Sequence, residues 1–304
     1  MPSRLTRSIR YRFSIMMQVL SLRSIRNFFL EWRMMNKIAI AFSRGAVTIN
    51  GRETIPTDPL SWEFSSFSQN GEDGIFDYLT HQISNPNRYF IEIGASDGTE
   101  NNCSWLALGR KFSGLMIDGN ETKIENARTV LQPLNWGLQF IAAFITLDNI
   151  LEILKKSLHT DPDVFSLDMD GNDYYIAKKI LDDGMRPKIF CVEYNSAYGP
   201  NASLTIMYDE HFDYNLAHKS HLYYGVSIAG WKNLFNGYGY KFVTVDSNGV
   251  NAFFVHADAF PQTFINGLQG SHFRENFAQR VRFEGQWDIQ FSKIKEMHFF
   301  EIPK

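Results

Sequence analysis

The stretch Tyr89-Phe90-Ile91-Glu92-Ile93-Gly94-Ala95-Ser96-Asp97-Gly98 constrains this chain more than any other. An apolar run ends in an acid, and a loop of small residues follows. A second apolar run, Gly114 to Ile117, ends at Asp118, 26 residues after Glu92. Strand, tight loop, helix, strand and acid is the order in which an α/β fold assembles a nucleotide pocket. The loop brings backbone N–H groups to the ligand, and the second acid can accept hydrogen bonds from ribose hydroxyls.

The surrounding pattern agrees. Apolar runs at 89–93, 115–118, 139–144, 164–168 and 189–193 alternate with helical stretches at 75–83, 102–111, 122–131, 147–157 and 174–182. The runs are continuous rather than alternating, as expected of strands covered on both faces. A βα alternation of this kind predicts a parallel, doubly wound sheet. Residues 240–245 and 251–255 flank Asp246-Ser247-Asn248-Gly249, whose Asn-Gly pair is a strong hairpin signal. The expected architecture is an α/β, Rossmann-like sheet of seven strands: five parallel strands plus a C-terminal hairpin. Residues 195–222 read as a long polar insertion, 227–237 as a helix, and 260–304 as helical and aromatic-rich.

Three segments are expected: a basic amphipathic helical extension at 1–46, a linker at 47–62 carrying Gly51, Pro56 and Pro59, and a domain at 63–304. The net charge of -3 hides an asymmetry. Residues 1–46 hold nine Lys or Arg against the single acid Glu31, leaving 21 basic and 32 acidic residues for the rest. An acidic body argues against nucleic-acid binding over a broad surface. In the basic segment Leu22, Ile25, Phe29 and Trp32 share a helical face, with Arg23, Arg26 and Arg33 elsewhere around the turn. No uncharged apolar stretch is long enough to span a bilayer, and arginines interrupt what would be a secretory signal. Such a helix can lie on an anionic membrane surface, or pack on its own domain or a partner subunit. A transit peptide would share its composition. Two cysteines in predicted core elements, Cys103 and Cys191, indicate a reducing compartment. The expected location is cytoplasmic, with a peripheral place on the inner face of a membrane. The oligomeric state is not legible.

The loop lacks the third glycine of a dinucleotide fingerprint. Its acid-x-Gly-x-x-x-Gly form suits S-adenosylmethionine, with Glu92, Gly94, Ala95, Ser96 and Gly98 around the methionine part and Asp118 on the ribose. An ordinary βα turn is the alternative. A second cluster, Asp168-Met169-Asp170-Gly171-Asn172-Asp173, ends the fourth strand, and Glu193 and Asn195 end the fifth. Carboxylates converging on one rim repel unless a divalent cation such as Mg2+, a hydroxyl network or a proton neutralises them. Asn172 and Asp173 can also simply cap the next helix. Asp170, Asp168 and Glu193 are the candidate catalytic residues and candidate metal ligands. Among His211, His218 and His221 in the insertion, His221 is the candidate base. Ser68 to Asp73 reads equally as a helix start or as a lid over the cofactor.

The stretches 68–74, 90–98, 166–174, 192–195, 224–228 and 249–255 together resemble the FkbM-like branch of class I S-adenosylmethionine-dependent methyltransferases. The resemblance spans roughly residues 64–258. It implies a seven-stranded sheet and transfer of a methyl group to a hydroxyl, usually of a sugar, glycan or natural product. The chain departs from the better-known pattern by starting the loop with Glu92 and by carrying Asp168-Met169-Asp170-Gly171 at strand 4. The latter is similar to metal-dependent sugar O-methyltransferases, whose strand-end carboxylates hold magnesium. Two readings of other classes remain: a non-catalytic scaffold that keeps the fold and binds a partner, and a nicotinamide-dependent dehydrogenase, against which the shortened loop counts.

Overall fold

The computed structural model describes residues 54–304, together with Ser24, Asn27, Phe28, Leu30, Glu31, Trp32, Met34, Met35, Ile38 and Ala39, all ten of them helical. Among the described residues nine strands form two sheets: β1 (Tyr89–Ile93), β2 (Ser113–Asp118), β3 (Leu138–Ala142), β4 (Val164–Leu167), β5 (Ile189–Glu193), β6 (Leu204–Ile206), β7 (Tyr240–Val245), β8 (Asn251–His256) and β9 (Phe299–Glu301). Seven make the main sheet in the order β3-β2-β1-β4-β5-β8-β7. Strands β1 to β5 pair in parallel, and β8 runs antiparallel between β5 and β7. The expected five parallel strands and closing hairpin are present, and the hairpin inserts its second strand, not its first, beside β5.

Helices α1 (Glu72–Gln82), α2 (Ser104–Leu108), α3 (Glu121–Leu131), α4 (Ile150–Leu154), α5 (Asp173–Asp182), α6 (Tyr214–Ala217), α7 (Ile228–Asn236), α8 (Gln262–Gly267), α9 (Phe277–Phe283) and α10 (Trp287–Ser292) complete the order. Strand periodicity sorts them into layers. In β1, Ile91 and Ile93 face a core shared with Ile176 and Ile180 of α5 and Trp231 of α7. Phe90 faces the other core, with Phe76 of α1, Leu106 of α2 and Ile124 of α3. Glu92 has the parity of Phe90, so its carboxylate is directed to the α1–α3 side. Chain order reverses between β1 and β4, and this opens a crevice at the carboxyl ends of the central strands.

Three expectations are revised. The segment read as a polar insertion carries a strand and apolar packing: β6 pairs antiparallel with β9, and Tyr198, Ile206, Leu222, Tyr223 and Ile294 belong to a third apolar cluster. Strands of three residues are too short to produce a readable period. The segment read as linker ends in a 3-10 turn, Pro59–Trp62, with Trp62 fully buried. Its ring stacks on Tyr78 at 4.0 Å and its indole N–H donates to the Ile55 carbonyl at 2.8 Å. Prolines suggest a linker by composition, but burial of an indole outweighs that. In the basic segment Leu22, Ile25 and Phe29 lie outside the described residues, and Trp32 is exposed, whereas Met34 is buried in the α1–α3 core.

Candidate functional site

Two cavities open at the crevice, and Gly94 and Asp168 line both. The first is walled by Asp118, Lys123, Phe144, Asp170 and Phe212. The second is walled by Glu72, Glu92, Asn101, Asn102 and Asn251.

Gly94 is fixed by sterics. It has φ 89, and an added Cβ would overlap the carbonyl oxygen of Asp168. Only glycine lets the β1 loop lie against the β4 loop this closely. The N–H groups of Gly94 and Ala95 both donate to the Ile117 carbonyl, at 2.9 and 3.0 Å. Ala95 is fully buried, and Gly98 packs on Ala127 and Leu131 of α3. Neither lines a cavity. Ser96, with φ 51, acts through its N–H, which donates to Asp118 Oδ2 at 2.8 Å. Asn120 N–H donates to Asp118 Oδ1, also at 2.8 Å. Each oxygen of Asp118 keeps a lone pair, so the carboxylate is oriented but can still accept from a hydroxyl.

Glu92 is 2% exposed. It accepts from Asn101 Nδ2 at 2.5 Å, Asn102 N–H at 2.8 Å and Cys103 N–H at 3.3 Å. Burial nevertheless pushes its pKa up to about 7. Opposite, Glu72 accepts from Asn251 Nδ2 at 2.6 Å and Asn70 N–H at 2.7 Å. Asn251 Oδ1 is buried with no hydrogen-bond partner among the described residues. The second cavity is therefore rich in acceptors and suited to an ammonium group. The segment 68–73 leads into α1, whose N-cap is Gly71 without a side-chain cap, and also lines the second cavity. Asp73 takes the N–H groups of Ser66, Phe67 and Ser68 at 2.6, 2.7 and 3.1 Å to fix the entry to α1, while Gln69, Asn70 and Glu72 wall the cavity.

Asp168, Asp170 and Glu193 converge, each offering a carboxylate oxygen within 4.8 Å of the others. Asp170 stands at the exposed edge of the cleft; Asp168 and Glu193 are half-buried but densely ringed by protein. Desolvation, then neighbouring carboxylate charge, pushes Asp168 and Glu193 well above the usual range. The two carboxyls are close neighbours, and each disfavours ionisation of the other. Asp170 is raised by desolvation and opposed by the Lys123 ammonium. Three carboxylate donors suit a hard divalent cation, so the residues fit the expected metal.

Asp170 has φ 58. It is held there because Asp173 accepts the N–H groups of Met169 and Gly171 at 2.8 and 2.9 Å. A left-handed aspartate at the edge of a cleft is strain of the kind that sites retain. Asn172 makes no side-chain cap; its Nδ2 donates to the Asp209 carbonyl at 2.7 Å and ties the insertion to the rim. Asn195 does not join the rim. Fully buried, it donates to the carbonyls of Leu222 and Tyr224 at 2.7 and 3.0 Å.

His221 has φ 57, and its buried Nδ1 has no partner among the described residues. Its ring lies 5.3 Å from Tyr214, which lies 5.4 Å from Tyr224. The charges of Asp170 and Glu193 reach both tyrosines. Gln279 Nε2 donates to Tyr224 Oη at 2.9 Å. His221 thus sits one ring behind the carboxylates. His211 is elsewhere, in a groove of about 1000 Å3 between 207–217 and 296–299 that shares Phe212 with the first cavity.

Sequence reasoning missed Lys123, Asn101, Asn102, Tyr214, Tyr224 and Gln279. Asn101-Asn102 directly follow the glycine loop and were within reach of a reading that asked what satisfies a buried Glu92. The remainder depend on tertiary approach.

No family model and no curated protein sequence matches the chain. Among solved structures, it is similar to an O-methyltransferase from Bacillus cereus in complex with SAH, at 14% identity over 73% of this chain and 88% of that one, TM-score 0.41. It is similar to the O-methyltransferase TomG from Streptomyces achromogenes in complex with SAM, at 14% identity over 70% and 87%, TM-score 0.41. It is also similar to TrmK of M. capricolum in complex with S-adenosyl-homocysteine, at 14% identity over 66% and 71%, TM-score 0.35. These are likenesses of chain outline and assign no residue a role.

Proposed function

We propose that this chain is an S-adenosylmethionine-dependent O-methyltransferase acting on a hydroxyl of a sugar, glycan or glycolipid-type acceptor. The observation that carries this reading is the paired cavity at the β1/β4 reversal, joined at Gly94 and Asp168. The nucleoside lies along the first cavity, with its ribose hydroxyls on Asp118. The methionine part lies in the second, with its ammonium among Glu92, Glu72 and Asn251. The sulfonium then falls near the junction, beside the carboxylate rim.

Transfer is an in-line displacement. The acceptor oxygen attacks the methyl carbon, the carbon–sulfur bond breaks, and the sulfonium becomes a neutral thioether. The hydroxyl proton leaves to a base, and Asp170, the most open carboxylate, is placed to take it. Asp168 and Glu193, whose burial favours the protonated form, face the cationic cofactor, whose charge would favour their ionisation, and the His221 ring lies 5.3 Å from that of Tyr214. A divalent cation held by Asp168, Asp170 and Glu193 would lower the pKa of the acceptor hydroxyl. The neighbouring groove supports a sugar acceptor: Tyr208, Phe212, Tyr223 and Phe299 offer ring faces, and Asp209 and Asp213 offer hydrogen-bond acceptors.

Calorimetry with S-adenosylmethionine, with and without magnesium, tests the reading. Binding that is weakened in Asp118→Ala and Glu92→Gln is expected. No heat at millimolar cofactor under either condition would sink the enzyme reading and leave the scaffold.

A further inference from the structure

The groove that shares Phe212 with the first cavity has one continuous wall of rings. Phe212 lies 6.3 Å from Tyr223, and Tyr223 lies 5.4 Å from Phe299. The Tyr223 hydroxyl donates to the His298 carbonyl, which ties the middle ring to the far side of the groove. The wall begins beside the carboxylate rim: a Cβ added at Gly171, next to Asp170, would meet the Phe212 ring at 2.4 Å. A molecule lying on these rings therefore reaches the rim at one end.

The fixed charges of the groove have one sign. Asp209, Asp213 and Glu296 line it, with His211 and His298, and no Lys or Arg does so among the described residues. Glu296 lies 3.8 Å from the Lys295 ammonium. Asp209 and Asp213 have no ion-pair partner among the described residues. Both are oriented through Oδ1, which accepts the His211 N–H at 2.9 Å in Asp209 and the Asn215 N–H at 2.8 Å in Asp213. Oδ2 of each makes no hydrogen bond to a described residue. An oriented carboxylate beside a ring face suits a cation, which gains from both. A uronate or a phosphosugar would meet these carboxylates with no cation to compensate. We propose that the groove takes a cationic amino sugar, its apolar face on the rings of Phe212, Tyr223 and Phe299 and its ammonium held by Asp209 and Asp213. That the bound sugar is a methyl acceptor rests on the function proposed above; the charge it carries does not.

Saturation-transfer NMR titrations of the full chain, with S-adenosylhomocysteine present, test this at neutral pH. The probes are the methyl glycosides of glucosamine, N-acetylglucosamine and glucuronate. Glucosamine should bind about fivefold or more tighter than N-acetylglucosamine, with glucuronate the weakest, and high salt should narrow the spread. The double variant Asp209→Asn, Asp213→Asn keeps both Oδ1 acceptors and an N-cap residue for α6. Its far-UV circular dichroism should match the parent, and it should lose the preference for glucosamine while binding N-acetylglucosamine as before. Asp183→Asn, an exposed acid at the far end of α5, should keep the preference. Glucuronate bound as tightly as glucosamine, a preference that survives in the double variant, or no saturation transfer to any probe overturns the proposal. Calorimetry of the parent with S-adenosylmethionine reads the donor side by itself. Cofactor binding without the amine preference overturns this inference alone, and the amine preference without cofactor binding overturns the methyltransferase reading and supports an amine-binding groove.

Discussion

Replacing Glu92 by Gln separates its electrostatic cost from its role toward the cofactor. Burial raises this carboxyl from 4.5 to about 7, so between those values the folded chain holds a proton that the unfolded chain has released. Stability therefore falls as pH rises through that window. Above it the folded state carries a cost of about 3 kcal/mol from this group. Glutamine does not titrate. Its carbonyl can keep the N–H groups of Asn102 and Cys103, but its amide faces the donating Asn101 Nδ2, a loss of about 1 kcal/mol. Near pH 8 the variant should be more stable than the parent by about 2 kcal/mol, and near pH 5 slightly less stable. Urea unfolding followed by circular dichroism at the two pH values measures this. Affinity for S-adenosylmethionine should fall about 10- to 100-fold, the value of a hydrogen bond to a charged group. A variant destabilised equally at both pH values would show that Glu92 is ionised in the fold, and unchanged affinity would remove it from the cofactor site.

Gly94→Ala should cost at least about 2 kcal/mol in urea unfolding, from its left-handed φ and the Asp168 carbonyl in the way of the new methyl group. Asp118→Ala should weaken cofactor binding by about tenfold or more by calorimetry and loosen the Ser96 loop, visible as faster amide exchange there. Magnesium should raise the melting temperature of the parent but not of Asp168→Asn; equal responses would show that the rim is not a cation site. His221→Gln should slow methyl transfer about tenfold or more, with cofactor affinity unchanged.

The central sheet was legible because its strands are doubly buried and each apolar run announces itself. The Glu92 and Asp118 pairing was legible for the same reason, since strand ends fix where those acids stand. The convergence of Asp168, Asp170 and Glu193 followed from strand order alone. What escaped was set by contacts distant in sequence. Nothing near Tyr224 indicates Gln279, and nothing near Ile206 indicates Phe299. Gly98 has the spacing of a cofactor glycine but packs on α3, because sequence spacing does not record the direction in which a loop faces. Trp62 was hidden by the prolines before it.

The β6–β9 pair has a temporal consequence. The crevice at the β1/β4 reversal is lined mainly by residues 69–172, so a growing chain possesses most of it early. The β6 insertion cannot settle until 299–301 arrive to pair with it, and the groove beside 207–217 draws one of its walls from 296–299. On the proposed reading, a nascent chain would assemble most of its donor side well before it could discriminate among acceptors, a step that would wait for 299–301.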